Sequence, residues 1–110
     1  FNIAHERIDL AHPDRHHDSP GFYDEERAAM TRFLGHGYVD TFRHFHPRTA
    51  RYTWWRPFSH AREKNFGWRL DYFCVNRGFL PRVSRSEILD AVKGSDHCPV
   101  MLRLKLKKHG

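Results

Sequence analysis

Between residues 100 and 106, Val100, Leu102, Leu104 and Leu106 fall on one side of a two-residue period, with Met101, Arg103 and Lys105 on the other. That alternation predicts a half-buried strand with a charged outer face. The stretch WRLDYFCVN, 68–76, sets Trp68, Leu70 and Tyr72 against Arg69, Asp71 and Phe73, a second strand whose faces differ. YVDTF, 38–42, and RYTWW, 51–55, are aromatic and β-branched and read as short strands. Residues 1–4 read as a strand end, and LPRVSRSEIL as an extended segment restricted by Pro81. One helix stands out. Ala29, Met30, Phe33 and Leu34 recur at helical spacing, opposite Glu25, Glu26, Arg27 and Arg32. Asp24 suits its start, and Gly35 or Gly37 its end. The Pro-, Gly- and His-rich 11–21 and the basic 56–67 read as loops.

A chain of 110 residues allows one domain with a modest core. Nineteen Lys and Arg against thirteen Asp and Glu give +6, a balance that favours a polyanionic partner, nucleic acid before an anionic membrane. A merely solvated basic surface fits that number equally well. No apolar run approaches the roughly 20 residues of a membrane helix, and no secretory leader is expected. Cys74 and Cys98 sit among apolar neighbours and read as free thiols of a reducing compartment.

Candidate chemistry gathers at three places: Asn2, an amide in an apolar strand end; Asp71, an acid inside an aromatic strand; and Asp96–His97 in GSDHCP. An ionised carboxylate in an apolar strand is costly unless something pairs with it. An Asp bonded to one imidazole nitrogen fixes the tautomer and favours protonation of the other, so the ring can activate a water or stabilise an oxyanion. Taken alone, the Asp–His pair reads first as a satisfied structural pair and only second as catalytic. His12, His16 and His17 could hold a metal, but without companion cysteines a solvated loop describes them better. His44 and His46 invite the same comparison on a strand end.

The motifs NIAHERIDL, GFYDEER, VDTFRHFHP, YTWW, then ARE and NFGWRLDYF, and GSDHCPV stand in an order and spacing that resemble the exonuclease III type of abasic-site endonuclease, in the endonuclease/exonuclease/phosphatase superfamily. The resemblance runs from Asn2 to about Leu106. It implies an α/β fold, the C-terminal half of a four-layer α/β/β/α sandwich, with one mixed sheet and a flanking helix in residues 1–110. It also implies hydrolysis of DNA 5′ to abasic sites and from 3′ ends with Mg²⁺ or Mn²⁺. By that likeness His97 matches the histidine near the scissile phosphate, and Asp71 the carboxylate that orients it. Asp96 matches an acid assisting at the metal, and Asn2 an amide that contacts phosphate and nucleophile. Trp68, Trp54 and Trp55 match pocket aromatics for a flipped-out sugar. Each could instead be core packing. Arg43, Arg56, Arg62, Lys64 and Arg69 offer phosphate contacts, with Arg62 and Arg69 inside matched motifs.

The family's aspartate two positions before Asn2, its main metal ligands and a pocket tyrosine would all lie upstream of Phe1. The resemblance therefore implies a missing N-terminal half as partner. It also implies that VMLRLKL and RYTWW expose apolar surface here, and that residues 1–110 alone are inactive. The implied partner is double-stranded DNA with abasic sites or 3′ ends, no membrane, in the cytoplasm at a bacterial nucleoid. Two other readings fit less of the pattern: a non-catalytic DNA-binding remnant, and a phosphoinositide or sphingolipid phosphodiesterase of the same superfamily.

Overall fold

A computed structural model describes residues 2–106. Its elements are α1 (Asp24–Leu34), β1 (Tyr38–Asp40), α2 (Thr41–Phe45), β2 (Trp54–Trp55), β3 (Gly67–Trp68), β4 (Cys74–Asn76), β5 (Val83–Ile88) and β6 (Val100–Leu104). Short 3-10 turns at Arg7–Asp9, Pro13–Arg15 and Leu80–Arg82 join them.

The chain is α/β as expected, but the described strands pair as three antiparallel two-stranded ladders rather than one mixed sheet: β1 with β4, β2 with β3, and β5 with β6. Loops and turns take much of the backbone. Residues 69–73, read as strand, leave the ladder because Leu70 N and Asp71 N bond to the Thr53 hydroxyl instead of a partner strand. Asn2–Ala4 form no strand either; Ala4 N donates to Gly21 O at 2.8 Å, while Phe1 lies outside the described residues. Strand β1 stops at Asp40 because that side chain accepts from Arg43 N and starts α2, which puts His44 on a helix and His46 just past its end.

The helix α1 has the predicted bounds, with Asp24 as first helical residue rather than its cap. Glu26 reaches back to the Gly21 and Tyr23 amides at 2.8 and 3.1 Å and satisfies two otherwise orphaned donors. Only Met30 is fully buried on its apolar face; Phe33 and Leu34 are half-buried and Ala29 is exposed.

Two cores flank β2. Phe42, Tyr52, Trp55, Ala61, Ile88 and Cys98 form one. Ala4, Leu10, Phe22 and Leu70 form the other, with Trp54 and Trp68 packed against it. The two-residue period sends neighbouring tryptophans to opposite cores. RYTWW is therefore largely covered: Tyr52, Thr53 and Trp55 are buried. The β6 expectation fares otherwise, since Leu104 is exposed and Leu106 is 94% exposed. Both cysteines are free, Cys98 buried and Cys74 half-buried.

Candidate active site

Thr53 organises the site. Its backbone N–H donates to Trp68 O, its carbonyl accepts from Cys98 N, and its hydroxyl oxygen accepts from Leu70 N and Asp71 N. One buried threonine thus ties the segment bearing Asp71 to the segment bearing His97. Trp55 N adds a bond to Asp96 O at 3.1 Å. Gly67 permits the close approach, because a Cβ there would lie 2.5 Å from Trp55 Nε1 and 2.6 Å from Tyr52 Cβ.

The result is contact between residues 26 apart in sequence. His97 Nδ1 donates to Asp71 Oδ2 at 2.7 Å, and each side chain is a little over one-third exposed. Asp71 is thus less buried than its aromatic strand suggests, but it has the partner that setting asks for. With Nδ1 committed, Nε2 is the ring nitrogen left for a ligand.

Beside the pair, Asp96 accepts from Trp54 Nε1 at 3.1 Å. That bond, with one from Ser95 and the nearness of His97, outweighs slight desolvation and holds the Asp96 carboxyl below its ordinary pKa. Trp54 also walls a cavity of about 560 Å³ lined by Asn2, His16, Trp68 and Leu70. Its ring meets Trp68 edge-on, with centroids 6.3 Å apart. Gly21 (φ +94°) turns the floor, where a Cβ would come within 3.2 Å of the Trp68 ring. The arrangement is one dyad, one ionised acid and an aromatic cavity, with Trp54 as their link.

Several expected ligand contacts are absent for a physical reason: the side chains are used elsewhere. Arg69 is fully buried, bonded to Asp9 Oδ1 at 2.7 Å and gripping both Asp40 oxygens. Arg43 bonds Asp9 Oδ1 at 2.5 Å and the carbonyls of His46 and Thr49. Arg62 donates to the carbonyls of Asp90, Val92 and Ser95, its guanidinium 4.4 Å above Trp55. These three arginines hold the protein together and do not present free cations to a strand. Trp55 likewise belongs to the core, its indole N–H donating to Asn65 Oδ1.

The Asp9–Arg69–Asp40 cluster is the part of the site region that sequence reading misses. Period two put Arg69 on the same face as Asp71, and its matched motif made it a phosphate contact. The available signal was an acid in each of two apolar settings, RIDL and YVDTF, needing a buried cation. Burial pushes the Asp9 carboxyl up, but Arg69, the Glu6 amide and Arg43 more than reverse it, leaving the pKa below its ordinary value.

Among the described residues no group of three or more His, Cys, Asp or Glu side chains could hold a metal ion. Asp96 is a single exposed carboxylate, so these residues do not form a cation site by themselves. His12, His16 and His17 make no such group either.

The profile of the endonuclease/exonuclease/phosphatase family matches residues 1–97. An exodeoxyribonuclease of Bacillus subtilis is 44% identical over 107 residues, covering 96% of this chain and 42% of that protein. The crystal structure of an AP endonuclease from Leishmania major superposes with a TM-score of 0.91 at 30% identity, covering 96% of this chain and 33% of that one. A Neisseria 3′ phosphatase, solved bound to a product DNA hairpin, superposes at 0.86 with 25% identity over 96% of this chain and 43% of its own. The chain thus spans well under half the length of these relatives.

Proposed function

The chain belongs to the endonuclease/exonuclease/phosphatase family, and on that footing we propose that it supplies the His–Asp part of a DNA repair phosphodiesterase. The reaction proposed is cleavage 5′ to abasic sites and at 3′ ends. The observation that carries it is His97 Nδ1 held on Asp71 Oδ2 at 2.7 Å, next to a cavity walled by two tryptophans.

Asp71 fixes the ring and offsets the charge of an imidazolium. A protonated Nε2 then presents an N–H to negative charge developing on a phosphoryl oxygen. Asn2, exposed at the cavity rim, offers an amide donor to the same group. Trp54 and Trp68 suit an abasic sugar, which presents apolar surface where a base is absent. Mg²⁺ or Mn²⁺ supplies Lewis-acid polarisation of the phosphate when bound. Asp96 is the residue here suited to assist in holding it, with further ligands from outside these residues.

Names of relatives support the class: exodeoxyribonuclease and AP endonuclease. Because those relatives are more than twice as long, we expect residues 1–110 alone to leave an abasic duplex intact. A purified 110-residue chain that nicks such a duplex in Mg²⁺, and loses the activity with His97→Ala, contradicts that expectation. In the full-length protein the dyad is tested by Asp71→Asn, which keeps the shape and turns the ring's acceptor into an amide. Strand incision should fall by about 10²–10⁴-fold.

A further inference from the structure

The segment that carries Asp96 and His97 has no regular structure of its own. Residues 89–96 follow β5 as turn and bend, and every residue from Ala91 to Asp96 is exposed. A stretch without buried side chains depends on hydrogen bonds to hold its place. Three of its carbonyls converge on one group: Arg62 Nη2 donates to Asp90 O at 3.0 Å and to Val92 O at 2.7 Å, and Nη1 to Ser95 O at 3.2 Å. We propose that Arg62 is a positioning residue for the dyad, setting where the turn at 95–97 stands and so whether His97 Nδ1 meets Asp71. The inference rests on the His97–Asp71 reading above and adds to it a residue outside both the dyad and the lining of the tryptophan cavity.

The clamp is itself held. The Arg62 guanidinium lies 4.4 Å from the centroid of the Trp55 ring, and Trp55 is buried in the core that also takes Ala61 and Cys98. Its indole N–H donates to Asn65 Oδ1 and its backbone N–H to Asp96 O, both at 3.1 Å. Ala61 precedes Arg62 and Cys98 follows His97, so one core anchors both ends of the link. Residues 61–66 also turn back on themselves, with Phe66 N donating to Ala61 O at 2.8 Å and Asn65 N to Arg62 O at 3.1 Å. The guanidinium therefore starts from a fixed base.

The side-chain type matters. A planar guanidinium with several donors serves three carbonyls at once, whereas an ammonium is a point charge that cannot hold the same span. Arg51 supplies the contrast. It donates to both carboxylate oxygens of Asp90, at 2.7 and 2.9 Å, and to Ile88 O at 2.7 Å. Among the described residues its bonds stop at Asp90, so Arg51 ties the start of the segment to the fold. Arg62 reaches Ser95 O, close before His97 in the chain, and sets the far end.

The test uses the full-length protein and a saturating abasic duplex in Mg²⁺, read as single-turnover incision, with duplex affinity measured separately. Arg62→Met keeps the stem over Trp55 and removes the fork. Its incision rate should fall about 10–10²-fold while affinity stays within about twofold of the parent. Arg62→Lys, which keeps the charge and loses the fork, should show the same split, and it stands in if the methionine variant fails to fold. Arg51→Met should lower the urea midpoint and leave the saturated rate within about twofold. Added to Asp71→Asn, Arg62→Met should cost less than about twofold more, because both act through one ring. The second readout needs no cleavage. The His97 Nδ1 proton, followed by NMR, should be lost to exchange in Arg62→Met and persist in Arg51→Met. Parental incision by either Arg62 variant, an equal loss in Arg51→Met, full additivity with Asp71→Asn, or an unchanged ring proton in Arg62→Met overturns the proposal. A parent that does not incise, with the ring proton still lost in Arg62→Met, would sink the nuclease reading and leave this one standing.

Discussion

At the level of single residues, two ion pairs with similar distances do different work. The Asp71–His97 pair is over one-third exposed, and pairs of that kind contribute about 0–1 kcal/mol to stability. Its weight lies in orienting a ring. Arg69 is fully buried against Asp9 and Asp40, and removing one member of such a cluster leaves uncompensated charge, at a cost of about 3–5 kcal/mol. Urea unfolding should therefore shift by less than about 1 kcal/mol for His97→Ala and by several for Arg69→Met. Equal effects from the two variants would contradict this division. Asp9 adds a pH signature. Its pKa is depressed in the fold from a usual value of 3.8, so its contribution is present above about pH 4 and is lost as pH falls through the folded value. Stability followed by urea midpoint should drop steeply below pH 4. A profile flat to pH 2 would show that the cluster does not hold Asp9 ionised.

Among elements, β2 carries the most consequence for its size. Its flanking Thr53 touches the backbone of residues 68, 70, 71 and 98, so the dyad geometry depends on a side chain with no part in the chemistry. Thr53→Val keeps the shape and strands two amides, at about 1–3 kcal/mol. It should also loosen the His97–Asp71 bond, seen as loss of the protected Nδ1 proton in NMR. If that proton persists, Thr53 is a packing residue only. The helix α1 was legible in the sequence because its apolar spacing and its Gly35 terminus are local signals. So was the dyad, through two motifs that only make sense together. The stretch 68–73 was not: the alternation was real, but Arg69 is fully buried against two acids while Trp68 and Tyr72 on the other face are only half-buried, so polarity no longer marks the solvent side. For the same reason Trp55 and Arg69 looked like ligand contacts when they are core. Adjacent tryptophans on a strand must part company, and only the coordinates say which one goes where.

Over the whole molecule, the described residues extend 55 × 31 × 21 Å, and the last strand ends in exposed apolar side chains. Leu104 and Leu106 are exposed there, and Tyr38, Phe45 and Phe73 are each more than one-third exposed elsewhere. Exposed apolar area on that scale promotes association. The 110-residue chain should self-associate in sedimentation at tens of micromolar, and Leu104→Lys/Leu106→Lys should reduce it; a chain monomeric before substitution would place the apolar ends out of contact with solvent partners. No helix among the described residues is long and apolar enough to cross a membrane. The positive charge is not spread evenly in its availability: Arg43, Arg62 and Arg69 are spent on the fold, while Arg15, Arg56 and Lys64 border the cavities. Salt dependence of DNA binding should therefore respond to Arg56→Ala and hardly to a change at Arg62 that preserves its carbonyl contacts.

Strand incision by the full-length protein tests the central claim most directly. A duplex with one abasic site, in Mg²⁺ at neutral pH, is followed by single-turnover gel analysis for the parent and for His97→Ala. The account predicts a rate at least about 10²-fold lower for the variant, with duplex binding retained. Incision by His97→Ala at the parental rate would contradict it.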